Sequence, residues 1–322
     1  MLHFRERPTT ALLMVLLVSR CSAFSVAPKF LSHSRNTWQE HRMIGSLLDM
    51  LGAGGKGGLI APDKALPGRD QKMPNIDGYK HYVLGNTLTD VPPGFDVAVY
   101  GTGCFWGSEK GQWRFPAGIY STAVGYCGGF TKNPTYNEAC SGMTGHTEGV
   151  RVVYNPAEVS FVDILRWFWE SHDPCSGMGQ GNDRGTQYRS AFYYYNDEQK
   201  QLIDASRQAY QQALKNAGID RTITTEIASA SDYDQYGGLW YFAEQYHQQY
   251  LAKPGSRPYC SAQPQGVSLP PYDTWSPFPK DSESYKKYEP TLTESFWKMH
   301  GPKRGCSVVQ QGNNPILVES YA

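Results

Sequence analysis

Asp96-Val-Ala-Val-Tyr-Gly-Thr-Gly-Cys-Phe-Trp-Gly-Ser-Glu109 is the stretch on which the reading of this chain turns. Its alternating apolar run reads as a strand, its glycines as a tight turn, and Cys104 as the residue that opens a helix over 104–115. A cysteine at a helix N-terminus faces N–H groups with no intrahelical partner and the positive end of the helix dipole. Both favour the thiolate, which is the nucleophilic form. Phe105 and Trp106 place two rings beside the sulfur, enough to wall a small apolar pocket. Taken alone, the same residues also read as a buried cysteine with two core aromatics.

Working outward, strands are expected at 95–100, 118–126, 149–154, 188–195 and 222–229, and helices at 104–115, 160–171, 197–217 and 242–251. Ser160 is a good N-cap for the second helix, whose apolar face is Phe161, Ile164, Leu165, Phe168 and Trp169. Asn196 or Asp197 starts the third, and Gly218 ends it. The irregular interleaving predicts an α+β fold: a two-layer sandwich of a mainly antiparallel mixed sheet and packed helices, with a long loop-rich C-terminal segment. Four stretches follow from composition: a presequence over 1–45, a Gly-rich linker over 46–78, the main domain over 79–262 and a C-terminal extension over 263–322.

The chain has 322 residues, with Lys plus Arg and Asp plus Glu both at 30, so no basic face supports nucleic-acid binding. No apolar run approaches the roughly 18 residues that span a bilayer. Arg5 and Arg7 precede the apolar run 11–18, then Ser19-Arg-Cys-Ser-Ala-Phe24 offers a cleavage site. The hydroxylated, basic stretch to Arg35 that follows resembles the second half of a two-part plastid presequence, with plain secretion as the alternative. Of seven cysteines, at 21, 104, 127, 140, 175, 260 and 306, none forms a C-x-x-C pair. Such wide spacing fits catalytic or redox use of a few thiols better than a zinc ribbon or a disulfide framework.

Three loops carry specific polar residues: Asn133-Pro-Thr-Tyr136; Ser141 to Glu148; and the Gly-rich run from His172 to Tyr188, which bears Asp183. Each has a bland reading, as loop tyrosines, a surface carboxylate and an Asx-turn. Three rival chemistries stand beside them. Gly101, Gly103 and Gly107 are misspaced for a dinucleotide loop, and no acidic residue follows at the ribose position. His146-Thr-Glu148 with Pro174-Cys175-Ser-Gly-Met178 nearly spells a zinc-dependent deaminase, but Met178 stands where a thiolate is needed. Cys104 with His146, His172 or His247 would make an acyl-transfer pair if one imidazole reached the sulfur.

Gly103-Cys-Phe-Trp-Gly107, Gly125-Tyr-Cys-Gly-Gly129, Asn133-Pro-Thr-Tyr136, Gly145-His-Thr-Glu148, Gly179-Gln-Gly-Asn-Asp-Arg-Gly-Thr-Gln-Tyr-Arg189 and His247-Gln-Gln-Tyr-Leu251 together resemble the A-type peptide methionine sulfoxide reductases. The resemblance runs in order over about 95–262. It implies reduction of the S epimer of methionine sulfoxide, free or in oxidised proteins, with no metal or organic cofactor. Cys104 would attack the sulfoxide sulfur and Glu148 would donate a proton to its oxygen. Tyr136 and Tyr188 would hold that oxygen, Asp183 would orient the polar network, and Phe105 and Trp106 would enclose the S-methyl group. The sulfenic acid left on Cys104 would be resolved by Cys260 as a disulfide, which thioredoxin would reduce. Where some relatives carry a second recycling cysteine, this chain reads Gly266-Val-Ser-Leu269. Either Cys260 acts alone or Cys306 joins the relay. Cys127, Cys140 and Cys175 are read as structural, and a monomer without stable membrane insertion is expected.

Overall fold

The computed structural model describes residues 58–320. The presequence expected over 1–45 and the Gly-rich run before Gly58 lie outside the described residues. The opening stretch supplies β1 (Asp96–Thr102). It lies centrally in a six-stranded sheet with β2 (Ile119–Cys127), β3 (Thr147–Tyr154), β6 (Ser190–Tyr194), β7 (Glu226–Ser229) and β8 (Trp240–Phe242). A separate two-stranded ribbon joins β4 (Gly179–Gln180) to β5 (Asp183–Arg184). The sheet order is β7-β6-β1-β3-β2-β8, antiparallel throughout except where β6 meets β7. Side-chain alternation sends Ala98 and Tyr100 with Val150, Val152 and Phe192 into the main core. Val99, Ala191 and Tyr193 turn to a smaller cluster on the other face with Tyr233 and Leu239.

The helices are α1 (Phe105–Trp113), α2 (Tyr136–Cys140), α3 (Phe161–Glu170), α4 (Asp197–Asn216), α5 (Glu283–Tyr288) and α6 (Glu294–His300). The chain is thus α+β, with helices packed on a mixed, mainly antiparallel sheet. Ser160 caps α3 by accepting from the Val162 N–H at 3.1 Å, and Asp163 accepts in return from the Ser160 N–H. Asn196 caps α4 through the Gln199 N–H at 2.9 Å, and Gly218 follows its end at φ +79°.

The five apolar residues expected on the inner face of α3 are all buried, and so are Val162 and Trp167 on its other sides. The cause is the C-terminal stretch. Phe115 meets Trp167 edge-on at 5.6 Å and also touches Phe296 and Trp297, while the Arg166 guanidinium lies 4.6 Å from the Trp297 ring. What the composition presents as an extended tail therefore carries two short helices, capped by Ser282 and Thr293, and places Tyr272, Tyr285, Tyr288, Phe296, Trp297 and Ile316 in the main core. At the other end, residues 62–70, expected within a linker, are bonded to the 130–143 loop. Leu66 N–H donates to Met143 O, Arg69 N–H to Lys132 O, and the Arg69 guanidinium pairs with Glu138.

The helix expected at 242–251 is absent. Ala243 N–H instead donates to Val124 O, and the Gln248 amide bonds both Val124 N–H and Val124 O at 2.9 Å. Gln249 takes a left-handed conformation (φ 46°) that delivers its N–H to Glu109 at 2.8 Å. Two glutamine side chains satisfy strand and loop partners that a local helix would leave open, so tertiary bonds override propensity.

Candidate active site

Because β1 and β3 are antiparallel neighbours, with Tyr100 opposite Val150, the end of β1 lies beside the start of β3. Cys104 and Glu148 are thereby brought to one edge of the sheet. On the flank of β1, Thr102 pairs with Ser190, which brings Tyr188 to the same edge. Gly103 makes the turn at φ +90°, where the Gln180 side chain would lie 2.6 Å from any Cβ. Glycine is required there on both counts.

Cys104 is the buried N-cap of α1. The N–H groups of Trp106 and Gly107 do stabilise its anion, as the helix terminus requires. They are outweighed: burial first, then the nearby Glu148 carboxyl, push the thiol well above its ordinary value. The resting residue is a thiol, which corrects the expectation of a thiolate. Glu148 is 2 % exposed, and its Oε2 accepts from the Phe105 N–H at 3.1 Å. Burial raises its pKa to about 8 against the pull of that N–H, with Asp183 adding to the rise. At neutral pH it is mainly the free acid.

Tyr136 opens α2 behind a Thr135–Glu138 capping box. Tyr188 closes the 3₁₀ turn Thr186–Tyr188. Burial raises both phenols, and Glu148 adds to each, so both stay protonated and able to donate. Asp183 accepts from the Tyr259 hydroxyl at 2.6 Å, tying the loop that carries Cys260 to the β5 turn. Trp106 stacks on Tyr250 at 4.0 Å, and Phe105 lies 5.2 Å from His247 and 6.2 Å from Tyr126. The rings thus form an apolar wall beside the sulfur.

Cys260 is bonded to Cys306, with Cα atoms 6.2 Å apart, while Cys104, Cys127, Cys140 and Cys175 are free thiols. A Cβ on Gly107 would lie 2.7 Å from the Cys260 sulfur. Gly107 is three residues beyond Cys104, on the same helix face, so the disulfide sits about one turn, or ~5 Å of rise, from the reactive position.

The rival chemistries lose their geometry. His146 Nε2 meets Thr131 O, His172 bonds Phe168 O and Ser190 Oγ, and His247 Nδ1 accepts from Trp106 Nε1. Burial lowers all three imidazoles. The Cys175 sulfur turns to Arg221 O. Among the described residues no three His, Cys, Asp or Glu side chains converge as a metal site would require.

The family profile for peptide methionine sulfoxide reductase matches residues 96–269. The chain belongs to the A-type peptide methionine sulfoxide reductases. It is 52% identical over 218 residues to peptide methionine sulfoxide reductase MsrA 1 of Synechocystis sp., covering 67% of this chain and 93% of that one. It is 50% identical over 213 residues to MsrA of Escherichia fergusonii, covering 66% and 95%. Among solved structures it resembles methionine sulfoxide reductase A of Corynebacterium diphtheriae, with 40% identity and a TM-score of 0.56, covering 66% of this chain and all of that one. The reductase is a thiol-dependent oxidoreductase, and the deaminase reading has no support.

Three further residues line this site: sequence reading passed over Glu244, met His247 only in a motif and as an acyl-transfer candidate, and took Cys140 as structural. Glu244 accepts from the Tyr126 hydroxyl at 2.7 Å and from the Tyr136 N–H at 2.8 Å, fixing the start of α2. His247 packs its ring 4.8 Å from Tyr136 while holding Trp106. Cys140 lies beside the Tyr136 hydroxyl, and burial raises its thiol to about 12. His247 was already in a quoted motif; Glu244 carries no local signal of its role.

Proposed function

We propose that the reductase transfers the oxygen of a methionine-S-sulfoxide, free or within a protein, to Cys104, with Glu148 as proton donor. The observation that carries this is the neutral, buried Glu148 carboxyl at the N-terminus of the Cys104 helix. Cys104 bonds to the sulfoxide sulfur as Glu148 protonates its oxygen, and the thiol proton passes to the carboxylate; the hydroxyl then passes to the Cys104 sulfur as that S–S bond breaks and the S–O bond is lost. The products are the thioether and Cys104–SOH, so atoms and protons balance. Tyr136 and Tyr188 donate to the oxygen, Asp183 holds the loop of Cys260 through Tyr259, and Phe105 with Trp106 receives the S-methyl group.

Cys260 then condenses with the sulfenic acid, releasing water and forming Cys104–S–S–Cys260. Cys306 displaces Cys104 from that bond, giving the Cys260–Cys306 disulfide, and thioredoxin supplies the electrons that reopen it. The observed pairing with Cys104 free supports this order. Prereduced protein mixed with excess S-epimer and no reductant tests it by counting methionine formed. The relay yields about two methionines per chain, one for the disulfide and one for the final sulfenic acid, whereas Cys306→Ser yields about one. Equal yields would remove Cys306 from the relay. No methionine from either protein would refute the reductase chemistry itself.

A further inference from the structure

The family profile ends at Leu269, yet the disulfide partner Cys306 lies beyond it. A crevice opens over that disulfide, bounded by Gly107, Trp167, Cys260, His300, Lys303 and Cys306. Its charge is one-sided. From Ser295 to Val318 the chain contains no Asp or Glu, while Lys298, Lys303 and Arg304 are exposed. Glu170 and Glu294 are both paired with Arg166, and Glu319, beside Ser320, is the one carboxylate that follows this stretch at its rim. Large apolar side chains stand exposed in the same stretch: Met299 at 46%, Leu317 at 69% and Val318 at 54%. A hydrogen bond of 3.2 Å between Ser320 Oγ and His300 Nε2 draws the end of this stretch to the rim of the crevice.

This surface is held in place before any partner arrives. Lys303 Nζ donates to Lys298 O at 2.6 Å, and Arg304 Nε donates to Gln265 O at 3.1 Å. Lys110 of α1 donates to Gln311 O and Asn313 Oδ1, Trp113 Nε1 donates to Asn313 O, and Ile316 N–H donates to Arg114 O. A preorganised surface loses less entropy on binding than a mobile one. A rim of cations around an apolar contact matches a partner with carboxylates around an apolar face.

We propose that Lys298–Cys306 is the docking surface for the protein dithiol that recycles the enzyme, a partner whose active cysteine is rimmed by carboxylates, and that this partner attacks Cys306. The proposal rests on the thiol relay set out above. Attack at Cys306 forms a bond from the partner's sulfur to Cys306 and breaks Cys260–Cys306. The electron pair leaves on Cys260, which takes a proton from solvent beside Gly107 and is free to serve Cys104 again. Attack at Cys260 would instead hold the resolving sulfur in the mixed disulfide until the partner's second thiol released it. The partner's second thiol then displaces Cys306, so the partner departs as a disulfide and two electrons have passed to the enzyme. Gly305, with φ +82° and nothing within 4 Å of its missing Cβ, leaves room for the partner's backbone at that point.

The test uses the full chain in its Cys260–Cys306 form and a thioredoxin whose second active cysteine is serine, which traps the mixed disulfide. Peptide mapping should find the partner on Cys306; a partner found on Cys260 overturns the direction of attack. In parallel, a Lys298→Glu, Lys303→Glu double variant is compared with the parent under thioredoxin and under dithiothreitol. The ratio of thioredoxin-driven to dithiothreitol-driven kcat/KM should fall about tenfold, and its decline with added salt should flatten. A ratio and a salt slope equal to the parent's overturn the docking surface. Failure of the parent to reduce sulfoxide with dithiothreitol would instead strike the reductase reading beneath it.

Discussion

Glu148 concentrates the chemistry of one residue. Holding a carboxyl at about 8 in place of its ordinary value of 4.5 means that ionising it in the fold costs on the order of 4–5 kcal/mol more than in water. That cost keeps the acid loaded at neutral pH, burial keeps Cys104 a thiol, and the carboxylate opposes its ionisation once Glu148 has lost its proton. A site carrying both protons should therefore slow as pH rises through about 8, when Glu148 empties first. Rapid-quench measurement of the first methionine over pH 6–10 checks this. Glu148→Gln should lower the rate by about two to four orders of magnitude and abolish the limb. A parent rate that climbs through the same range would mean that Cys104 reacts as a preformed thiolate. The residue-level expectation from sequence was half right for a physical reason: helix N–H groups do reach the sulfur, but burial depth is not written in the local sequence.

At the scale of the element, α1 is buried along its whole length, including Glu109 and Lys110. It carries Gly107 and Gly111 at i and i+4, and these let the Cys260 loop and the Trp167 ring approach its backbone. Alanine at a helix-interior glycine ordinarily gains about 0.5–1 kcal/mol, so Gly107→Ala separates helix stability from thiol access. Its methyl would displace the Cys260 sulfur, and Cys104 sulfenic acid should persist after the first turnover, read as an increased adduct with dimedone. Wild-type resolution in that variant would show that the approach of Cys260 over Gly107 is not the path used. Long periodic elements such as α3 and α4 were legible, caps included. The five-residue α2 was too short to show a period, and the 242–251 stretch has helical composition but is claimed by Val124 and Glu109 from distant parts of the chain.

In the whole molecule, two sets of buried groups pull stability in opposite directions. Glu109, Glu148 and Asp163 are raised by burial to about 7, 8 and 6. They hold protons that the unfolded chain releases, so their contribution falls as pH climbs from the ordinary carboxyl range to those values. His81, His146, His172 and His247 are lowered by burial to about 3, 4, 4 and 3. For them stability is lost as pH falls below the ordinary imidazole value of about 6.5. Above that point the carboxyls outweigh the fading imidazole contribution, so the melting temperature should peak near pH ~6.5 and decline toward pH 8. Glu148→Gln should flatten that decline, and an unchanged slope would contradict its raised value. The candidate constellation was legible because each proposed member sits in its own recognisable motif, and antiparallel pairing of β1 with β3 brings Cys104 and Glu148 to one edge. The partnership of Cys306 was not, since its place depends on Phe296, Trp297 and Asn313 docking across the molecule. That docking gives the order of synthesis a chemical meaning. The proposed nucleophile and its acid are translated early, whereas the proposed recycling thiol Cys306 comes far later, on the segment that covers Trp167 and Phe115. A growing chain assembles its N-terminal parts first. A chain made only as far as Leu269 would carry Cys104 with Trp167 and Phe115 uncovered and without Cys306, so the proposed redox relay and the closing of the core arrive together.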